Sequence, residues 1–263
     1  MHQFDTDISC TRTSPESWKG DISDNWSING VPNGGYLMAI MANAMLQDSG
    51  KRATPVITAN FMARSTPGDV SVSVAKMSQS TQFERYEARL SQGDQETIRA
   101  FGTFVQEQDT CRVDRYEAGP PELAPREACV MIPELPKFTV YRHMDVLLDP
   151  ACAGWMMGTL VDRSENKGWI RFKEKRPYDI PALLFAADAF PPPIMASQGM
   201  VAWVPTLEFS VNIRNLPRSE WLKCIFRTRF VTCGLLEEDG EIWDETGALV
   251  AVSRQIAQFR SYA

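Results

Sequence analysis

Val31-Pro32-Asn33-Gly34-Gly35-Tyr36 leads directly into Leu37-Met38-Ala39-Ile40-Met41-Ala42-Asn43-Ala44-Met45-Leu46. The second stretch is rich in Ala, Leu and Met and poor in β-branched residues, a helix-forming composition. Asn33 can cap its start. The stretch is apolar almost all round, and a helix without a polar face must be wrapped by other structure. The wrapping is written just downstream. Residues 55–64 alternate, Val70-Ser71-Val72-Ser73-Val74 alternates strictly, and residues 83–90 and 97–105 flank a turn at Gly93-Asp94. Period-two alternation marks half-buried strands, and the turn marks a hairpin. The order is one buried helix followed by antiparallel strands, after a polar lead-in that carries Trp18 and Trp26.

The same order recurs further on. Trp169-Ile170-Arg171-Phe172 reads as a strand. Asp179 can cap a helix starting at Ile180, with Pro181 tolerated in the first turn. Residues 183–190 are again nearly all apolar, and Pro191-Pro192-Pro193 stops them. Strands are expected over residues 206–214, 221–231, around Ile242-Trp243, and over 249–259, with Thr246-Gly247 as the last turn. Thr58-Ala59-Asn60-Phe61 and Thr206-Leu207-Glu208-Phe209 hold matching places in the two copies.

Between the copies, residues 107–136 carry Gly119-Pro120-Pro121, Pro125, Pro133 and Pro136 and read as a linker, draped over the first domain. The chain divides into residues 1–110, a Pro-rich linker at 111–137, and residues 138–263. A sheet wrapped around one buried helix is the hotdog arrangement, so the expected class is α+β, a tandem (double) hotdog. One such unit leaves a sheet edge unpaired, and two in one chain can pair internally. Ligand sites then fall at the seam between them.

Composition excludes several classes. The net charge of −6 carries no basic surplus for nucleic acid. The longest apolar run, residues 36–46, is too short to span a bilayer, and the start shows no signal-peptide pattern. The six cysteines, Cys10, Cys111, Cys129, Cys152, Cys224 and Cys233, are scattered and read as free thiols of a cytoplasmic protein. There are two histidines, His2 at a terminus and His143, which reads as a surface or interdomain residue. That leaves no material for a histidine triad or a usual zinc site. No nucleotide or dinucleotide loop and no nucleophile elbow occurs, and no cofactor or metal is called for.

Three polar residues stand out. Asp188 is the one ionisable residue of the apolar run, at the C-terminal end of a buried helix. There both the macrodipole and burial disfavour its charge, which would raise its pKa toward that of a useful base. It reads equally as a solvated or capping Asp. Gln255 lies within a strand, and if it faces inward its amide needs partners; an outward-facing Gln is the alternative. Thr206 opens a strand after Pro205, where threonine is also an ordinary strand former.

The chain resembles the acyl-CoA thioesterase II family and the wider thioesterase-like double hotdogs. The resemblance rests on residues 31–36, Trp169-Ile170-Arg171, Ala186-Ala187-Asp188-Ala189-Phe190, Val204-Pro205-Thr206-Leu207-Glu208-Phe209 and Leu249-Val250-Ala251-Val252-Ser253-Arg254-Gln255. These cover both halves in order. The family holds its hydrolytic water with an Asp, a Thr or Ser, and a Gln, which the resemblance assigns here to Asp188, Thr206 and Gln255. Where the family often has Asp-His after the Thr, this chain has Leu207-Glu208, and its first helix opens with Asn33-Gly34-Gly35-Tyr36 as in the broader group.

The resemblance implies hydrolysis of an acyl-CoA or acyl-carrier thioester. Asp188 acts on a water, or attacks directly to form an anhydride. Asn33, Gly34, Gly35 and Tyr36 are the expected substrate-binding residues, with backbone N–H groups at Gly34-Gly35 as an oxyanion site. Met38, Met41 and Met45 are candidates for an adaptable acyl-tunnel wall, and Arg64, Arg171 and Arg214 for the phosphates of the carrier. The alternatives are a non-catalytic acyl-thioester binder or biosynthetic accessory protein, and a hotdog dehydratase, which would need a histidine beside the Asp. The protein can also form a homo-oligomer.

Overall fold

The computed structural model describes residues 1–106 and 115–262. Its backbone is one continuous antiparallel sheet with two central helices against it. In spatial order the strands run Cys10–Ser14, Ser17–Ile22, Gly68–Gln79, Phe83–Gln92, Gln95–Val105 and Ala53–Phe61 from the first half. Thr206–Ile213, Leu249–Gln258, Leu235–Asp244, Leu222–Thr228, Ser164–Phe172, Met144–Leu148 and Val130–Met131 then follow from the second. The seam is the pairing of Ala53–Phe61 with Thr206–Ile213, in which Phe209 lies opposite Ala59 and Ser210 opposite Thr58. Their hydroxyls meet at 2.8 Å. The edge that each half would leave open is thus closed by the other.

The first central helix is Gly34–Asp48, with ten of its fifteen residues buried, as its all-round apolar sequence predicts. Asn33 caps it, its side-chain oxygen accepting the Tyr36 N–H at 2.9 Å. The second central helix, Ile180–Ala186, is capped by Asp179, which accepts the Ala182 N–H at 3.0 Å. It is shorter than the apolar run implies. The chain turns at Ala187 and Asp188, and after the prolines a further short helix, Ile194–Gln198, forms. The apolar composition of residues 187–190 reflects burial under the sheet, not helix.

The two helices cross at Gly35. A Cβ there would stand 2.5 Å from the carbonyl oxygen of Leu184 and 2.9 Å from the Cβ of Asp188. Only glycine permits this approach.

The described part of the Pro-rich segment packs against the second half, and at its end the Lys137 carbonyl accepts the Asn29 N–H of the first. Val130–Met131 pairs with Met144–Leu148, and the Trp169 indole N–H donates to the Ala124 carbonyl at 3.2 Å. The guanidinium of Arg126 lies 5.2 Å from the Trp169 ring centre. The exposed end of the second sheet draws the segment in by offering an unpaired strand and two aromatic faces. Met144–Leu148, buried along its whole length, was not anticipated from the sequence. His143 packs on Trp26 of the first half with ring centres 4.7 Å apart, an interdomain place. Among the described residues Cys10, Cys129, Cys152, Cys224 and Cys233 are free thiols, and Cys111 lies outside them. No helix among the described residues is long and apolar enough to cross a membrane.

Candidate active site

Asp188 follows the second helix and meets the start of the first. Its Oδ2 accepts the Gly35 N–H at 2.9 Å, and its main-chain carbonyl accepts a hydrogen bond from the Asn33 side chain at 2.7 Å. Asn33 therefore caps its own helix with one amide atom and ties down Asp188 with the other. Burial pushes the Asp188 carboxyl up to about 6, against the lowering pull of the Gly35 and Gly34 N–H groups and the Asn33 side chain. The rise expected from the sequence is present with burial as its cause, while the positive N-terminus of the other half's helix, which the carboxylate meets, pulls the other way.

This contact bears on the oxyanion expectation at Gly35, while Gly34 lines the cavity. The Gly35 N–H is committed to the Asp188 carboxylate, the nearest anion to that helix terminus. Tyr36 is also turned away from the site. Its hydroxyl donates to the Asp7 carbonyl at 2.9 Å and accepts the Ser23 N–H at 3.0 Å, so it clamps the N-terminal segment instead.

Thr206 and Gln255 are brought together by an irregularity in the ladder. Phe209 lies opposite Gln255 and so shares its face. A flat strand would put Thr206, three residues earlier, on the other face. The register shifts between Thr206 and Glu208, and the extra residue restores Thr206 to the face of Gln255. The Thr206 hydroxyl donates to Gln255 Oε1 at 3.0 Å. Gln255 is 6% exposed, so its amide must be partnered internally.

A fourth polar residue escaped the sequence reading. Glu238 lies directly opposite Gln255 on the next strand and is also 6% exposed. Burial and the nearby charge of Asp188 push its carboxyl up to about 8, while a hydrogen bond with Gln255 works the other way.

Asp188, Thr206, Gln255 and Glu238 all line one cavity of about 710 Å³ at the seam, as do Asn33 and Gly34. Most of the remaining wall is apolar, including Leu37, Phe61, Ile132, Val140 and Phe190. Tyr141 and Trp155 add polar hydrogens, and Arg64 and Arg260 add positive charge. Several expectations are corrected here. Met38, Met41 and Met45 are wholly buried in the core and do not reach the cavity, because the first helix turns Leu37 toward it. Arg171 is paired with Asp145 at 2.9 Å and stacked on Trp221, away from the cavity. Arg214 does not line it either.

Residues 22–105 match the model of the acyl-CoA thioesterase N-terminal domain, and residues 120–259 match that of the acyl-CoA thioesterase C-terminal domain. The chain belongs to the acyl-CoA thioesterase family. An uncharacterized protein of Mycobacterium tuberculosis is 21% identical to this thioesterase-family chain, over 91% of the chain and 90% of the relative. Among solved structures, a conserved protein of unknown function with a hotdog fold from Alicyclobacillus acidocaldarius superposes with a TM-score of 0.89, at 18% identity and full coverage of both chains. The acyl-CoA thioesterase II TesB2 of Mycobacterium marinum follows at a TM-score of 0.78, with 14% identity and 99% coverage of each chain. The dehydratase domain of RzxB from Pseudomonas fluorescens gives 0.57, at 11% identity over 92% of this chain and 93% of that domain. These likenesses show the double-hotdog fold, which the thioesterase family shares with dehydratases.

Proposed function

We propose that this chain hydrolyses an acyl-CoA or acyl-carrier thioester, with Asp188 as the base for a water held by Thr206 and Gln255. The observation that carries the reading is the convergence of these three residues, from three separate elements, on one apolar cavity. Because the Thr206 hydroxyl donates to Gln255, its oxygen lone pairs stay available to accept from a water. The Gln255 NH₂ can donate to that water while its oxygen is occupied. Asp188, with one oxygen on the Gly35 N–H, has the other to take the proton. At pH 7 a carboxyl at about 6 is mostly ionised and still basic enough to act.

The step balances without a cofactor. The water oxygen bonds to the thioester carbon as its proton passes to Asp188. The C–S bond then breaks, and the thiolate takes the proton back, leaving free acid and thiol. A thiolate departs readily, which suits a site without histidine. The apolar wall takes the acyl group, and Arg64 and Arg260 face the same cavity as counter-charges for a phosphorylated carrier.

The test is thiol release from a panel of short, long, branched and aromatic acyl-CoAs, with wild type beside Asp188→Ala. Turnover by wild type and its loss in a folded variant supports the reading. Binding of acyl-CoA without thiol release by wild type replaces it with the non-catalytic binder.

A further inference from the structure

Glu238 is a buried carboxyl that the hydrolytic scheme does not use. Along Leu235–Asp244, residues 236, 238, 240 and 242 alternate inward, so Glu238 occupies a position that otherwise takes apolar or small residues. It lines the cavity, and its Oε2 has no hydrogen-bond partner. An unpaired buried polar atom costs free energy unless a ligand or water completes it. Its neighbour across the ladder, Gln255, already has its oxygen taken by Thr206.

We propose that Glu238 works as a neutral carboxylic acid whose O–H donates a hydrogen bond to the carbonyl oxygen of the bound thioester. This rests on the thioesterase reading and adds a donor for the carbonyl, where the Gly35 N–H is committed to Asp188. Glu238 keeps its proton throughout and transfers nothing. Its ionisation is opposed by burial, by Asp188 from the turn after the second helix, and by Asp239 from its own strand. Arg64, Arg260, Tyr141 and Tyr262 are the other charged or titratable groups lining the cavity. Tyr141 and Trp155 could also donate. The Tyr141 hydroxyl is pushed far above the working range by burial, and an indole does not titrate, so loss of a donor near pH 8 would single out Glu238.

The test compares wild type, Glu238→Gln and Glu238→Leu, each checked for folding by circular dichroism. The probes are ketone analogues of the acyl-CoA panel, with CH₂ in place of the thioester sulfur. Wild-type affinity is expected to fall about tenfold between pH 7 and 9.5, since about 1.4 kcal/mol is one decade. Glu238→Gln, whose amide still donates, is expected to bind with no such fall. In turnover, Glu238→Leu is expected to lose ~10²–10³-fold in kcat, the cost of removing one oxyanion donor. Glu238→Gln is expected to keep most activity and lose the alkaline limb.

In the free protein, an infrared protonated-carboxyl band present at pH 6.5, gone by pH 9.5 and missing in Glu238→Gln, is the third expected result. Absence of that band, analogue binding that is absent or indifferent to pH, or an alkaline limb that survives in Glu238→Gln overturns the proposal. If wild type binds the ketones in this pH-dependent way yet releases no thiol, the hydrolase reading fails while the role of Glu238 as a carbonyl donor stands.

Discussion

The Asp188 carboxylate, from the C-terminal half, accepts the Gly35 N–H at the start of the N-terminal half's central helix at 2.9 Å. Site and fold are joined at this point. The helix crossing needs glycine at 35, and the same missing side chain lets the carboxylate reach the positive end of the helix. The C-terminal half alone would hold Asp188 without its partner, and the N-terminal half alone would hold Gly35 without its own.

Gly35→Ala is expected to harm stability and activity together. The new methyl would sit 2.5 Å from the Leu184 carbonyl oxygen, on backbone that cannot simply swing aside. Overpacking of this kind costs about 1–3 kcal/mol. A thermal melt and a thiol-release assay should both show the defect. A stable variant with full activity would contradict the crossing described here.

Thr206 and Gln255 are expected to act as a unit. Thr206→Ser keeps the hydroxyl and should keep most activity, whereas Thr206→Val and Gln255→Leu should each lose much of kcat. Residues in one hydrogen-bond network are non-additive, so the double variant should lose little more than the worse single one. Additive losses in kcat would separate the two roles.

Rate should rise with pH through about 6 as Asp188 ionises, because only the carboxylate can take a proton. Asp188→Asn should be flat there, at a rate ~10²–10⁴-fold lower. A wild-type profile without that acid limb would remove the base role from Asp188.

Glu238 also predicts a stability trend. Its folded value, about 8, lies above the ordinary 4.5, so the folded chain holds a proton that the unfolded chain releases. Stability from this group is therefore full below about 4.5, falls as pH rises, and levels off above about 8. Glu238→Gln removes the loss. Its melting temperature should exceed wild type by several degrees at pH 9 and match it near pH 4. An equal gain at both pH values would mean a packing effect instead.

Much of this was legible in the sequence. The buried first helix was announced by residues 37–46, and Asp188 by its isolation within an apolar run. The pairing of Thr206 with Gln255 could not be read, because it depends on a register shift that no single strand records. Glu238 was hidden by its neighbours. Glu237-Glu238-Asp239 reads as a solvated acidic run, and only the inward parity of Leu236 and Ile242 along the whole strand separates Glu238 from Glu237 and Asp239. The methionines failed for a related reason. Composition shows that a helix is buried, but not which of its buried faces looks into a cavity and which into packed core.

The central claim is that Asp188 activates a water and does not itself bond to the acyl group. The most direct test is a single turnover in ¹⁸O-labelled water, followed by mass analysis of both the product acid and the peptide that carries Asp188. The account predicts one ¹⁸O in the acid and none in the peptide. Label in the Asp188 peptide would show that an anhydride forms on that carboxylate, and would contradict it.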